Sequence, residues 1–238
     1  KENDFLIDPD MLIDEINKNN IELLIMCSPN NPTGSVIDNE QMIHLLSNTN
    51  CHVLVDETYV EFTDMEKFSS TKLCSKFDKL FVIRSTSKFF AVPGIRLGYG
   101  ITSDKHFLEH YNSFANLWGI NIVASMMGEV MFGDSDFISD CYKKISNERT
   151  YLKESMEKIK DLKVYPTFGN FILCEIVSKK IDAGELYERL ISKAAAIRNC
   201  SNFKTLDKYF FRICVLKHEQ NDFLINLLND IFIDKLSL

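Results

Sequence analysis

Between residues 9 and 101 the apolar positions switch repeatedly between two periods. A helical spacing over Pro9–Asn17 gives way to the apolar run Ile21–Cys27. Asp38, with Gln41 three residues later, forms the capping-box signature of a helix reaching about Ser47. Short apolar runs follow at His52–Val55, Leu80–Ile83 and Leu97–Ile101, the first two leading into Asp56-Glu57 and Arg84-Ser85. Such runs, separated by helical patterns, predict the strands of a mostly parallel sheet covered on both faces.

From Ser103 the pattern lengthens into helical segments at 103–113, 120–132 and 136–160, the last rich in Lys and Glu. Strand Phe171–Ile176, helix Ala183–Ala194, a short strand near Ile197, strand Tyr209–Val215 and a helix from Glu219 to about Ile233 complete the chain. The expected fold class is α/β. A large domain over 1–135 would hold part of a three-layer, mostly parallel sheet, and a smaller α/β domain would occupy 136–238, joined to it by the long helix. No internal repeat or low-complexity linker is visible.

Composition narrows the function. The 238 residues, 45% of them hydrophobic, suffice for one sizeable core plus a satellite domain. The formal charge of −7 repels phosphate backbones and anionic lipid, and no Lys/Arg run reverses it locally, so neither nucleic acid nor a membrane surface is an expected partner. No apolar stretch approaches the roughly 20 residues of a membrane span, and Lys1-Glu2-Asn3-Asp4 does not resemble a signal peptide, so a cytoplasmic enzyme is expected. Seven widely spaced cysteines without a C-x-x-C pair suggest reduced thiols and no metal site. The lack of an initiator Met suggests a truncated or processed product.

In open α/β sheets ligands bind beyond the carboxyl ends of the strands, which directs attention to four polar junctions. They are Ser28-Pro-Asn-Asn-Pro-Thr-Gly34, Asp56-Glu-Thr-Tyr59, Arg84-Ser-Thr-Ser-Lys88 and Pro93-Gly-Ile-Arg-Leu-Gly98. Taken singly each has a plain structural reading: a turn rich in Asn, Pro and Gly, a capping aspartate, a solvated lysine. Farther on, Arg212 interrupts the apolar strand Tyr209–Val215 and would be costly to bury without an anion, although an edge-strand position would also accommodate it.

As a set, in this order and spacing, the four junctions resemble the class I/II (fold type I) pyridoxal-phosphate (PLP) aminotransferases, in the branch containing histidinol-phosphate aminotransferase and threonine-phosphate decarboxylase. The resemblance runs from Asp4 to about Leu228. It implies that Lys88 holds the cofactor covalently and shuttles a proton, that Asp56 pairs with the pyridine nitrogen, and that Tyr59 and Asn31 bond the ring's phenolic oxygen. It also implies that Ser85, Ser87 and Arg96 hold the cofactor phosphate, that Arg212 binds the substrate carboxylate, and that Arg198 binds a substrate phosphate or other distal anion. Trp118–Asn121 is similar to a family turn at a dimer-facing segment, with Leu117 where proline is usual.

The activity so implied moves an amino group between an amino acid, phosphorylated ones included, and a 2-oxo acid, in a homodimer. Decarboxylation of an O-phosphothreonine-like substrate is the rival reading, and a fold that has lost its chemistry is the third. Family members carry a further N-terminal portion with a phosphate-cradling turn and an aromatic that stacks on the ring. Neither is in this sequence, so the isolated chain is expected to bind PLP weakly and to be inactive.

Overall fold

The computed structural model describes residues 3–116 and 118–233; Lys1, Glu2, Leu117 and the last five residues lie outside that range. The chain divides into two compact units. One comprises Leu6–Asn30 with Ser35–Asp140, and the other comprises Lys1–Phe5, Asn31–Gly34 and Cys141–Leu238. The boundary near the C-terminus of the first unit therefore falls inside a long helix, and the Asn31–Gly34 turn clusters with the second unit.

In the first unit, helices α1 (Pro9–Asn19) and α2 (Asn39–Ser47) alternate with strands β1 (Leu23–Cys27) and β2 (His52–Asp56). Asp8 caps α1 ahead of a proline in its first turn, Asn20 ends it in the left-handed conformation, and Asp38 with Gln41 completes the capping box of α2. A 3-10 turn (Val60–Phe62), the short helix α3 (Met65–Phe68) and a second 3-10 turn (Thr71–Ser75) lead to β3 (Leu80–Ser85), and β4 (Gly98–Ile101) follows. The sheet order is β1-β2-β3-β4, with β4 alone antiparallel, so the sheet is mostly parallel, as expected.

Alternation along the strands sorts the side chains between the two faces. Val53, Val55, Leu80 and Val82 point to one face and are fully buried against Ile16, Met42, Leu45 and Leu46 of α1 and α2. The other face does not match the expectation of two covered faces: Leu23, Ile25 and Ile83 are 51%, 65% and 39% exposed. Within this unit the cover on that side comes from α4 (Lys105–Phe114), whose Phe107 ring packs edge-on against Phe81 at 4.6 Å. Helix α5 (Ile122–Gly133) follows.

Helix α6 (Ser135–Met156) runs into the second unit. Its sheet, in the order β5-β6-β8-β7, is antiparallel throughout, with β5 (Leu162–Val164), β6 (Phe171–Ile176), β7 (Arg198–Asn199) and β8 (Phe210–Cys214). Every residue of β6 is buried. Helices α7 (Ala183–Ile191) and α8 (His218–Ile233) complete the unit, and its core unites Leu152 and Met156 of α6, Ile172 and Ile176 of β6, Leu186 and Leu190 of α7, and Leu228 of α8. Strand β5 had no sequence signal, because three residues are too few for a period. The predicted helix 136–160 stops at Met156, where Ile159 and Leu162 donate backbone bonds that turn the chain into β5. Helix α7 stops short of Ala194, which adopts φ +62°.

Candidate active site

Parallel strands β2 and β3 end side by side, with Asp56 opposite Ile83 in the register. Asp56 is half-buried on the sheet face that includes Leu54, and its Oδ1 accepts from the Thr58 backbone N–H at 2.9 Å and the Thr58 hydroxyl at 2.5 Å. These two bonds orient the carboxylate. Its charge reaches Cys27, the register partner on β1, whose thiol is pushed up by burial and further by Asp56. The chain then turns through Glu57–Val60, bringing the Tyr59 ring beneath the Lys88 amine: Nζ lies 5.9 Å from the ring centre. Lys88 itself is exposed.

The segment between β3 and β4 forms a small polar pocket. Ser85 Oγ donates to Ser87 Oγ at 2.8 Å and accepts from the Ser87 backbone N–H at 3.2 Å. Buried Thr86 fixes the loop, its backbone N–H and hydroxyl both donating to Leu97 O. Arg96 takes a left-handed backbone, φ +56°, and donates one guanidinium bond to Pro93 O at 2.9 Å. Ser85, Ser87, Arg96 and Gly98 line a cavity of about 140 Å³. Gly98 must lack a side chain, because a Cβ there would sit 2.9 Å from Arg84 O.

The second unit holds the other arginines. Arg198 on β7 and Arg212 on β8 are direct register partners. Like charges opposite one another across antiparallel strands repel, so the pair is suited to an anion. Arg212 donates to Asn31 Oδ1 at 2.5 Å, its guanidinium lies 5.0 Å from the Phe171 ring centre, and its Nε is buried with no hydrogen-bond partner among the described residues. Arg198 is exposed, bonded to Asn202 Oδ1 at 3.0 Å and 6.0 Å from the Phe203 ring centre. Asn31 is held with Arg212, while Lys88, Asp56, Tyr59, Ser85, Ser87 and Arg96 belong to the first unit. The turn carrying Asn31 ends at Gly34, where φ is +75° and a Cβ would lie 2.4 Å from Thr167 Oγ1.

Sequence reasoning passed over three residues that shape these junctions. Thr58 orients Asp56 and Thr86 ties the Ser85–Lys88 loop to Leu97; neither residue type gives a signal on its own. The third is Arg84, which is buried and bonded to the equally buried Glu57. A charge at the end of the apolar run Leu80–Ile83 is the signal that singled out Arg212, and it applied equally here.

The chain is thus a protein of two α/β units whose first unit carries an amine and a carboxylate near its strand ends. The chain belongs to the class I and II aminotransferase family, which matches residues 1–228. It is 38% identical over 213 residues to a protein of Caldanaerobacter subterraneus subsp. tengcongensis provisionally named threonine-phosphate decarboxylase, covering 88% of this chain and 57% of that one. It is 32% identical over 228 residues to a histidinol-phosphate aminotransferase of Clostridium kluyveri, covering 96% and 62% respectively. The crystal structure of a histidinol-phosphate aminotransferase from Clostridium acetobutylicum superposes with a TM-score of 0.90 at 31% identity, over 97% of this chain and 69% of that one. The chain thus spans about three-fifths of the length of these curated relatives.

Proposed function

We propose that the whole protein is a PLP-dependent aminotransferase that moves an amino group between an amino acid and a 2-oxo acid. The observation that carries this is the first unit's grouping of the Lys88 amine over Tyr59, with Asp56 at the end of β2 and the Ser85–Ser87–Arg96 cavity at the end of β3. That donor set fits the cofactor: an exposed primary amine for its aldehyde, an oriented carboxylate for its pyridine nitrogen, a phenol for its ring oxygen, and hydroxyls with a guanidinium for its phosphate.

When bound, PLP supplies an electron-withdrawing ring that accepts charge from the substrate's α-carbon. The Lys88 amine would be the group that takes a proton from that carbon and returns one. Asp56 would hold the pyridine nitrogen in its protonated form, and Thr58 keeps Asp56 aimed. Arg212, with a buried Nε in need of an acceptor, would take the substrate carboxylate while Asn31 steadies its other end. Arg198 would take a phosphate or a distal acid, which favours a phosphate-bearing substrate: a phosphorylated amino acid, or histidinol phosphate, whose only anionic group is its phosphate.

A second reading, decarboxylation of an O-phosphothreonine-like substrate, is favoured by the 38% identity to the Caldanaerobacter protein. Both reactions use the same residues. Incubating the full-length protein with histidinol phosphate plus 2-oxoglutarate, and separately with phosphothreonine while measuring carbon dioxide, distinguishes them. Glutamate formation without carbon dioxide supports transfer, and carbon dioxide without glutamate supports decarboxylation.

A homodimer in the cytoplasm belongs to the same reading. Ile122, Met126 and Val130 of α5 are 73%, 64% and 71% exposed, an apolar stripe suited to a second copy, and among the described residues no helix is long and apolar enough to cross a membrane. Weak cofactor binding by the isolated chain remains part of this reading, with the exposed Leu23 and Ile25 on the sheet face in support.

A further inference from the structure

We propose that the buried Glu57–Arg84 pair is a positioning device that holds Asp56 and Ser85 in place from the opposite face of the sheet. The inference rests on the cofactor reading for what is positioned, and on geometry alone for the positioning. Glu57 directly follows Asp56, and Arg84 directly precedes Ser85. Because successive side chains in a strand point to opposite faces, Glu57 and Arg84 point into the core while their neighbours point to the other face. Glu57 is 0% exposed and Arg84 9%.

Glu57 Oε2 accepts from Arg84 Nη2 at 2.8 Å, Arg84 Nε at 3.0 Å and Ser69 Oγ at 3.1 Å, and Oε1 accepts from the Ser70 backbone N–H at 2.6 Å. Arg84 Nη2 also donates to Ser69 Oγ at 2.6 Å, and Arg84 is the register partner of Tyr99 on β4, whose phenol its charge pulls back towards the ordinary value. The Glu57 backbone N–H donates to Ile83 O at 2.9 Å. The network therefore ties the ends of β2, β3 and β4 to the Ser69–Ser70 turn. A buried pair of this kind is a poor source of net stability compared with apolar packing, and its benefit is better sought in fixing one arrangement of the strand ends.

Two amides report the positioned groups directly, in the absence of any cofactor: Thr58 N–H bonds Asp56 Oδ1, and Ser87 N–H bonds Ser85 Oγ. Glu57→Gln strands a buried guanidinium and can unfold the unit, so the double variant Glu57→Gln with Arg84→Met, which removes both charges, accompanies it. In the cofactor-free chain the double variant is expected to exchange the Thr58 and Ser87 amides at least about tenfold faster, with Val53 and Val82 unchanged. In the full-length protein its affinity for added PLP is expected to drop by a similar factor. Unchanged exchange at Thr58 and Ser87, or a uniform rise across the sheet, overturns the proposal. Faster local exchange in a protein whose PLP uptake is unaffected by Lys88→Ala upholds the positioning and overturns the cofactor reading instead.

Discussion

The Lys88 amine stands 5.9 Å above the centre of the Tyr59 ring, joining two junctions that are 29 positions apart in the chain. The contact is a cation held at an aromatic face, and it places the Tyr59 hydroxyl on the same side of the unit as the amine. Tyr59→Phe keeps the ring and removes the hydroxyl. In the full-length protein this change is expected to lower kcat by about 10- to 100-fold, the equivalent of one hydrogen bond to a charged group, with little change in thermal midpoint. Steady-state kinetics beside a melting curve checks it; a large loss of stability would show that Tyr59 is a packing residue.

Arg96 lines the Ser85–Ser87 cavity from an exposed loop, so its contribution is to binding and not to folding. Arg96→Lys keeps the charge but loses the planar fork that fits phosphate oxygens. Both Arg96→Lys and Arg96→Ala are expected to weaken PLP binding, by about tenfold and about a hundredfold respectively, in an equilibrium titration. Equal affinity across all three proteins would remove the phosphate role.

Glu61 shares the surroundings of Arg84 with Glu57 and Tyr99, and its Oε2 is buried without a hydrogen-bond partner among the described residues. Burial pushes its carboxyl up from 4.5 to about 7; the Glu57 charge adds to this, and Arg84 only partly opposes it. Below about pH 4.5 the group is neutral whether folded or not. Between 4.5 and 7 only the folded chain holds the proton, so stability falls as pH rises through that window and levels off above it. Glu61→Gln is expected to flatten this slope and to add about 1 to 3 kcal/mol above pH 7, read by urea unfolding across pH. A variant with the parent's slope would contradict it.

Gly34 combines a positive φ of 75° with a space already filled by Thr167. Gly34→Ala is expected to cost about 2 kcal/mol or more and to disturb the turn carrying Asn31. Chemical denaturation measures the cost, and an unchanged midpoint would mean that the turn relaxes freely.

The strands of the first sheet were legible because each is a short apolar run with a polar end, and the residues at those ends were legible because the family's motifs sit there. Asp38 and Gln41 gave away α2, since a capping box is a local signal. The open sheet face was not legible: Leu23 and Ile25 read as buried because an apolar run carries no mark of which side is covered. The grouping of Asn31 with Arg212 was equally hidden, since a bond between residues 181 positions apart leaves no periodic trace. Glu57 and Arg84 were masked by their more conspicuous neighbours Asp56 and Ser85.

Lys88 is proposed here as the amine that joins the cofactor. Incubating the chain with PLP, reducing with borohydride and locating the pyridoxyl group by peptide mass spectrometry tests it directly, because reduction traps even weakly held cofactor. Label is expected to concentrate on Lys88 and to be lost in Lys88→Ala. Label spread evenly over exposed lysines such as Lys72 and Lys208, and unaltered by that substitution, would contradict it.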